Sequence, residues 1–307
     1  MSTKTNIHTK QTFISLFNSI ARHKHRYSVF SDFVTMSAIA LHNAVNMNEA
    51  LEKEYLEIVA RYSKEDVNSF CELLGNFVIL MEPEPADILG SLYMELEINN
   101  LNNGQFFTPH EISLLLAKLT YGDVLDNLAN KPFVTLSEPA CGAGGMVLAF
   151  TNEMLKKGIN PAEKLCVQCI DIDRLAGLMC YLQLSLWHVP AEVIIGNTLT
   201  LEFREVYYTP SYYLGDWKNR LSIRNLTKAI SSLCESIEEP KTEKPTVDIA
   251  QHEIVDQKPV IIESLTATIE IDVLPVEPVA DFKKTNKKKG GSNNSLQVDL
   301  FDFVIDR

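Results

Sequence analysis

The sequence predicts an α/β fold, and three observations carry that prediction. Val134 to Phe150, VTLSEPACGAGGMVLAF, reads as a buried strand through Val134 and Leu136. Glu138-Pro139 stops it, and the turn Gly142-Ala143-Gly144-Gly145 opens a helix through Met146, Val147, Leu148 and Phe150. Short apolar runs at Leu165 to Ile170 and Val193 to Ile195 supply two more strands, and the helical pattern Leu175 to Leu186 lies between them. Strands alternating with helices indicate a parallel sheet. Glycines suit a backbone that must approach a ligand closely or take positive φ, and a helix start presents unpaired N–H groups. A turn of this kind at a strand's carboxyl end is where open α/β sheets bind nucleotide-like ligands.

Upstream, residues 1–95 read as a helical domain. Phe13, Ile14, Leu16, Phe17 and Ile20 recur at helical spacing, as do Phe33, Met36, Ile39 and Ala40, and then Leu51, Tyr55, Ile58 and Val59. Ser63 is placed as the N-cap of a helix beginning Lys64-Glu65-Asp66. The basic cluster Arg22, His23, Lys24, His25 and Arg26 is read as a solvated helix end in preference to a phosphate contact. Met81 to Pro85 breaks the helical pattern, which resumes over Asp87 to Leu96.

Composition sets the bounds. The 307 residues suit one or two domains, and 46% hydrophobic content allows a sizeable core. No stretch reaches membrane-spanning length and the amino terminus lacks a signal-peptide core, so no membrane partner and a cytoplasmic location are expected. The six cysteines lie mostly in apolar or helical patterns and are read as reduced thiols. Cys166-Val167-Gln168-Cys169 is formally a C-x-x-C pair, but it falls within a predicted strand and has no second pair. Strand packing is preferred, and no metal site is expected. A net charge of -12 excludes a protein that grips DNA over its whole surface, so any such contact is local or shared with a partner.

Two segments carry a resemblance. Gly104-Gln105-Phe106-Phe107-Thr108-Pro109 and Glu138-Pro139-Ala140-Cys141-Gly142-Ala143-Gly144-Gly145 resemble, in order and spacing, the G-Q-F/Y-x-T-P and D/E-P-A-C-G-x-G-G signatures of adenine-N6 DNA methyltransferases. The likeness is strongest to the modification subunit of type I restriction systems. It covers Leu96 to Arg224 and implies a Rossmann-like, S-adenosylmethionine-dependent methyltransferase core over residues 96–228. The helical domain 1–95 precedes this core, and a mostly disordered tail, 229–307, follows. The resemblance assigns Phe106, Phe107, Thr108, Pro109, Glu138, Cys141, Gly142 and Gly144 to the cofactor. Asp171, ending the second strand, would accept hydrogen bonds from the ribose hydroxyls, and Asn197, in Gly196-Asn197-Thr198-Leu199, would contact adenine. Local readings stand beside these: Thr108 as an N-cap with Pro109 first in the helix, and Asp173 as the cap of Leu175 to Leu186.

The family also carries D/N/S-P-P-Y/F after its fourth strand, where polar groups hold the flipped adenine's amine and an aromatic ring stacks on the base. After Phe203 to Tyr208 this chain reads Thr209-Pro210-Ser211-Tyr212. Thr209, Pro210 and Tyr212 are the catalytic candidates, although a threonine hydroxyl lacks the family's amide or carboxylate acceptor. Two functions therefore stay open: an adenine-specific DNA methyltransferase, and a catalytically inactive relative that binds the cofactor or associates with DNA. The sheet is expected to stop at about four strands, because an acidic, proline-containing stretch follows. The tail runs through Lys283 to Lys289 into Gly290-Gly291-Ser292 and then Gln297-Val298-Asp299-Leu300-Phe301. That last segment resembles the peptide that docks bacterial DNA-processing enzymes on the replication sliding clamp. Gln297, Leu300 and Phe301 would make that contact. DNA, the clamp and a specificity subunit are the expected partners.

Overall fold

Ahead of the sheet the described residues form the helices α1 (Ser2–Ser19), α2 (Arg26–Val45), α3 (Glu49–Val59), α4 (Lys64–Met81), α5 (Ile88–Glu95) and α6 (His110–Asp126). The computed structural model describes residues 2–96, 107–126, 128 and 131–238. Phe106 and the expected clamp peptide with Gln297, Leu300 and Phe301 lie outside the described residues, as does most of the predicted tail.

Local side chains start and stop these helices. Asn48 Oδ1 accepts from Ala50 and Leu51 N–H at the start of α3, and Ser63 Oγ accepts from Asp66 N–H at 3.1 Å at the start of α4, as its sequence predicts. Arg26 closes α1: its guanidinium donates to the carbonyls of Phe17, Ile20, Ala21 and Lys24. Arg26 of the basic cluster thus belongs to a helix end, and its two terminal nitrogens donate to backbone.

The sheet follows in the order β1 (Val134–Glu138), α7 (Gly145–Lys156), α8 (Pro161–Lys164), β2 (Leu165–Asp171), α9 (Arg174–Leu186), β3 (Ala191–Asn197), β4 (Glu202–Tyr208), α10 (Pro210–Leu214) and α11 (Trp217–Glu238). The strands lie side by side as β1-β2-β3-β4. β1, β2 and β3 are parallel, with Val134 beside Leu165 and Val167 beside Ala191. This is the strand–helix–strand–helix–strand arrangement of one half of a doubly wound α/β sheet. Asp173 caps α9 through Ala176 N–H at 2.9 Å, in agreement with the sequence.

The fourth strand departs from expectation in direction. β4 runs antiparallel to β3, with Asn197 opposite Glu202 and Glu192 opposite Tyr208. Gly196 permits this return: a Cβ there would lie 2.5 Å from Glu202 O and 2.8 Å from Phe203 Cα, so only glycine lets the backbones approach. The ladder shifts register between Ile195 and Gly196. In the doubly wound order the strand after the first crossover pair sits beyond β1. Among the described residues, that edge of β1 has no neighbour.

The helical segment is part of the same body as the sheet. One apolar cluster runs from Phe13, Phe17, Phe30 and Phe33 through Phe70 and Phe77 to Leu148, Val167, Leu178 and Val193. α2 packs along α9, so α9 is buried almost all round and carries an apolar sequence to match. The described residues up to Leu221 accordingly fall in one compact unit. On the other sheet face a smaller cluster joins Phe133, Cys166 and Trp217. No helix among the described residues is long and apolar enough to cross a membrane.

Candidate functional site

The three parallel strands end together at the same edge, and each ends on a polar residue: Glu138, Asp171 and Asn197. Two backbone devices shape the ground beside them. Gly142 and Gly144 take φ of 53° and 91°, in the left-handed region where a side chain is strained. Gly144 caps α7 without any side-chain hydrogen bond, so the first N–H groups of that helix are left for other acceptors.

Asp171 holds the turn. One carboxylate oxygen accepts from Gly142 N–H at 2.7 Å and the other from Asp173 N–H at 2.9 Å. A carboxylate offers about four acceptor positions, so two remain for a ligand. Burial pushes Asp171 above the usual carboxylate range, against the pull of those same hydrogen bonds. Burial likewise raises Glu138, which accepts from Ala140 N–H at 3.4 Å.

Asn197 turns its carbonyl to the hairpin, accepting from Leu199 and Thr200 N–H at 2.9 and 3.3 Å. Its amide donors have no partner among the described residues. Thr198 Oγ1 donates to Pro139 O at 2.6 Å and ties the hairpin to the glycine turn. The ring of Phe107 lies against Gly142, 3.3 Å from where a Cβ would be, and meets Tyr93 edge-on at 5.5 Å. Thr108 and Pro109 are exposed beside it. α6 begins at His110, and Pro109 O accepts from Ile112 and Ser113 N–H.

Two assignments need correction. Cys141 is 6% exposed and its sulfur faces two other thiols inside the core. Only its backbone lies in the turn, so its side chain is not available to a cofactor. The second correction is larger. Thr209 is fully buried at the opposite end of the sheet, because β4 runs backwards and delivers it beside the first residue of β3. Its hydroxyl donates to Val189 O at 2.8 Å and accepts from Ala191 N–H at 2.9 Å. Both hydrogen-bonding capacities are used on backbone. Seven residues of strand separate it from the ligand end, about 20 Å at the usual rise. Pro210 opens the short helix α10, and Tyr212 packs against Tyr208 with ring centroids 4.6 Å apart. Thr209, Pro210 and Tyr212 therefore do not join Glu138, Asp171 and Asn197 in one site.

Sequence reasoning missed the residue that anchors the turn from below. Gln183, fully buried on α9, donates to Ala143 O at 2.8 Å and Asp87 Oδ1 at 2.9 Å. Its carbonyl accepts from Ile88 and Leu89 N–H. One side chain thus joins the glycine turn, α5 and α9. The signal was a lone amide in the apolar run Met179 to Leu186. Nearby, His110 Nε2 and Ser113 Oγ are buried without a partner among the described residues, and Ser113 Oγ lies 3.5 Å from the position of a Gly145 Cβ.

Residues 85–220 match the family model described as N-6 DNA Methylase. No curated protein matches the chain. Among solved structures, a protein described as a class I S-adenosylmethionine-dependent methyltransferase from Listeria monocytogenes is similar over 62% of this chain and 54% of its own, at 14% identity and a TM-score of 0.34. The type I restriction-modification system methyltransferase subunit from Streptococcus thermophilus is similar over 62% and 57%, at 11% identity and a TM-score of 0.36. This chain spans a little over half the length of each, and superposition at that level adds nothing to the fold described above. The family match spans the glycine turn and all three strand ends, so over residues 85–220 the chain is similar to the N-6 DNA Methylase family.

Proposed function

We propose that this chain binds S-adenosylmethionine at the carboxyl ends of β1, β2 and β3, and that by itself it does not transfer the methyl group to adenine. The observation that carries the reading is the reversed β4. It leaves a cofactor end of ordinary doubly wound form while the segment aligned with the base-holding motif caps the far end of the sheet.

The residues present suit the cofactor. Asp171 has acceptor positions left for two ribose hydroxyls, and the amide donors of Asn197 suit adenine ring nitrogens. The uncapped start of α7 suits the methionine carboxylate, with its N–H groups and the positive end of its dipole. Phe107 would cover the turn side. When bound, S-adenosylmethionine supplies an electrophilic methyl on its sulfonium. The residues named here bind and orient it, and none of them is placed to hold a base for in-line transfer. The 307 residues contain no Pro-Pro pair, so the family's base-holding sequence is not supplied elsewhere within them.

Adenine methylation in DNA, the family's reaction, would on this reading need a partner that occupies the open edge of β1 and brings the base-holding groups. DNA, a specificity subunit and the clamp remain candidate partners on the resemblance alone. The test is paired. Calorimetric titration should show S-adenosylmethionine bound by the native chain and lost in Gly144→Asp, where any side chain meets Cys180 Sγ at 3.0 Å. Asp171→Asn, a milder change, should weaken binding without unfolding the protein. Labelled methyl transfer to unmethylated DNA should then be absent. Transfer by the purified chain would overturn the second half of the proposal, and no binding would overturn the first.

A further inference from the structure

Three sulfurs converge beneath the glycine turn. Cys141 comes from the turn, Cys169 from β2 and Cys180 from the middle of α9, and their Sγ atoms all lie within 4.8 Å of one another. They are 6%, 0% and 0% exposed. The C-x-x-C pair is uninvolved as a pair: residues three apart on a strand face opposite sides, and Cys166 packs with Phe133 and Trp217 while Cys169 turns to the main core.

Packing alone does not require this arrangement. A buried thiol behaves as a small apolar group and has no need to meet two others. Here the three sulfurs lie within 4.8 Å of one another, and the Cys141 thiol donates to Gly142 O at 3.5 Å. Three buried sulfurs converging on one point can ligate a single ion.

We propose that Cys141, Cys169 and Cys180 form a three-thiolate site for a soft, thiophilic cation, with monovalent copper the best match. Thiolate ligands select monovalent copper, zinc or iron–sulfur clusters. Structural zinc takes four ligands and iron–sulfur clusters four cysteines. Among the described residues no fourth histidine, cysteine or carboxylate joins the group. Three thiolates complete a trigonal copper site. On binding, each ligating thiol gives up its proton to solvent and a sulfur–copper bond replaces each S–H bond, while copper keeps its oxidation state.

The site is coupled by position to the ligand end. Cys141 N–H donates to Ile170 O, and the next N–H, from Gly142, donates to Asp171. Cys180 lies under Gly144 at the α7 start. A bound ion would fix the turn from below, so copper and an adenosyl ligand would each alter the affinity for the other by the same factor.

The test uses the full chain, reduced and free of oxygen, titrated with monovalent copper against a coloured copper chelator. One equivalent should be retained by the native chain and lost in Cys169→Ser and in Cys180→Ser, with Cys71→Ser and Cys166→Ser unchanged. Circular dichroism reports whether each variant folds. Should a variant unfold, X-ray absorption on the copper-loaded native chain decides independently: three sulfur neighbours support the site. No retained copper, copper retained by both folded variants, or two sulfur neighbours overturns it. A parallel titration with zinc alone distinguishes the metals, and retention of zinc in preference to copper overturns the three-coordinate assignment.

Discussion

Replacing Thr209 by valine separates the structural role of this residue from the catalytic one its sequence context suggests. The side chain is fully buried, and valine matches its shape while removing the hydroxyl. Two backbone groups lose their partner: the Ala191 N–H, bonded at 2.9 Å, and the Val189 carbonyl, bonded at 2.8 Å. A buried group left unpaired costs about 1–3 kcal/mol, and a carbonyl tolerates it better than an N–H. The expected loss is about 2–4 kcal/mol, which for a unit of this size lowers Tm by roughly 5–15 °C. Thr209→Ser keeps both bonds and should lose only about 1 kcal/mol for the missing methyl. Differential scanning calorimetry of the two variants, beside S-adenosylmethionine titration, is the assay. Affinity should be unchanged in both, because the hydroxyl lies at the far end of β3 from the glycine turn. A Thr209→Val protein with native Tm and impaired ligand binding or methyl transfer would refute the argument and return Thr209 to the active site.

Other perturbations probe the remaining joints. Gln183→Met keeps the bulk but removes the bonds to Ala143, Asp87, Ile88 and Leu89; a loss of about 3 kcal/mol or more is expected in urea unfolding, with faster amide exchange in the turn. Gly196→Ala drives a Cβ into the backbone of Glu202 and Phe203 and should cost about 1–3 kcal/mol, with exchange protection falling first along β4. Arg174 bridges Glu54, Glu205 and Tyr207 at 2.9 to 3.2 Å; the group is about a third exposed, so Arg174→Ala should cost only about 1–2 kcal/mol, and less in high salt. Cofactor affinity should fall on acidification as Asp171 protonates, starting above the ordinary aspartate value of 3.8 because burial raises it. The same shift acts oppositely on stability. A folded-state carboxyl raised above its unfolded value binds more protons when folded, so its burial penalty is present above the folded pKa and is relieved as pH falls through it. Parallel titrations of binding and of urea midpoint against pH should therefore diverge in sign.

The order of elements was legible from residues alone because the governing forces are local. Val134 and Leu136 before Glu138-Pro139, the glycines at 142 and 144, and the apolar runs at 165 and 193 specify strand, turn and helix by pattern and backbone freedom. Ser63 and Asp173 were readable as caps for the same reason: each bonds an N–H three residues away. The carboxyl end of the sheet was readable as three polar residues closing three apolar strands. Direction and neighbourhood were not readable. Nothing in Phe203 to Tyr208 states whether the strand crosses over to β1 or folds back on β3. That is decided by a close backbone approach at Gly196 and by a hydroxyl at Thr209 that fits the gap between Val189 and Ala191. The same holds for Gln183 beneath Ala143 and for the meeting of Cys141, Cys169 and Cys180. Sequence set which segments would be strands and helices, through periodicity and turn chemistry. Tertiary structure alone set which segment lies beside which, because burial rewards any partner that fits and only the packed molecule shows which one did.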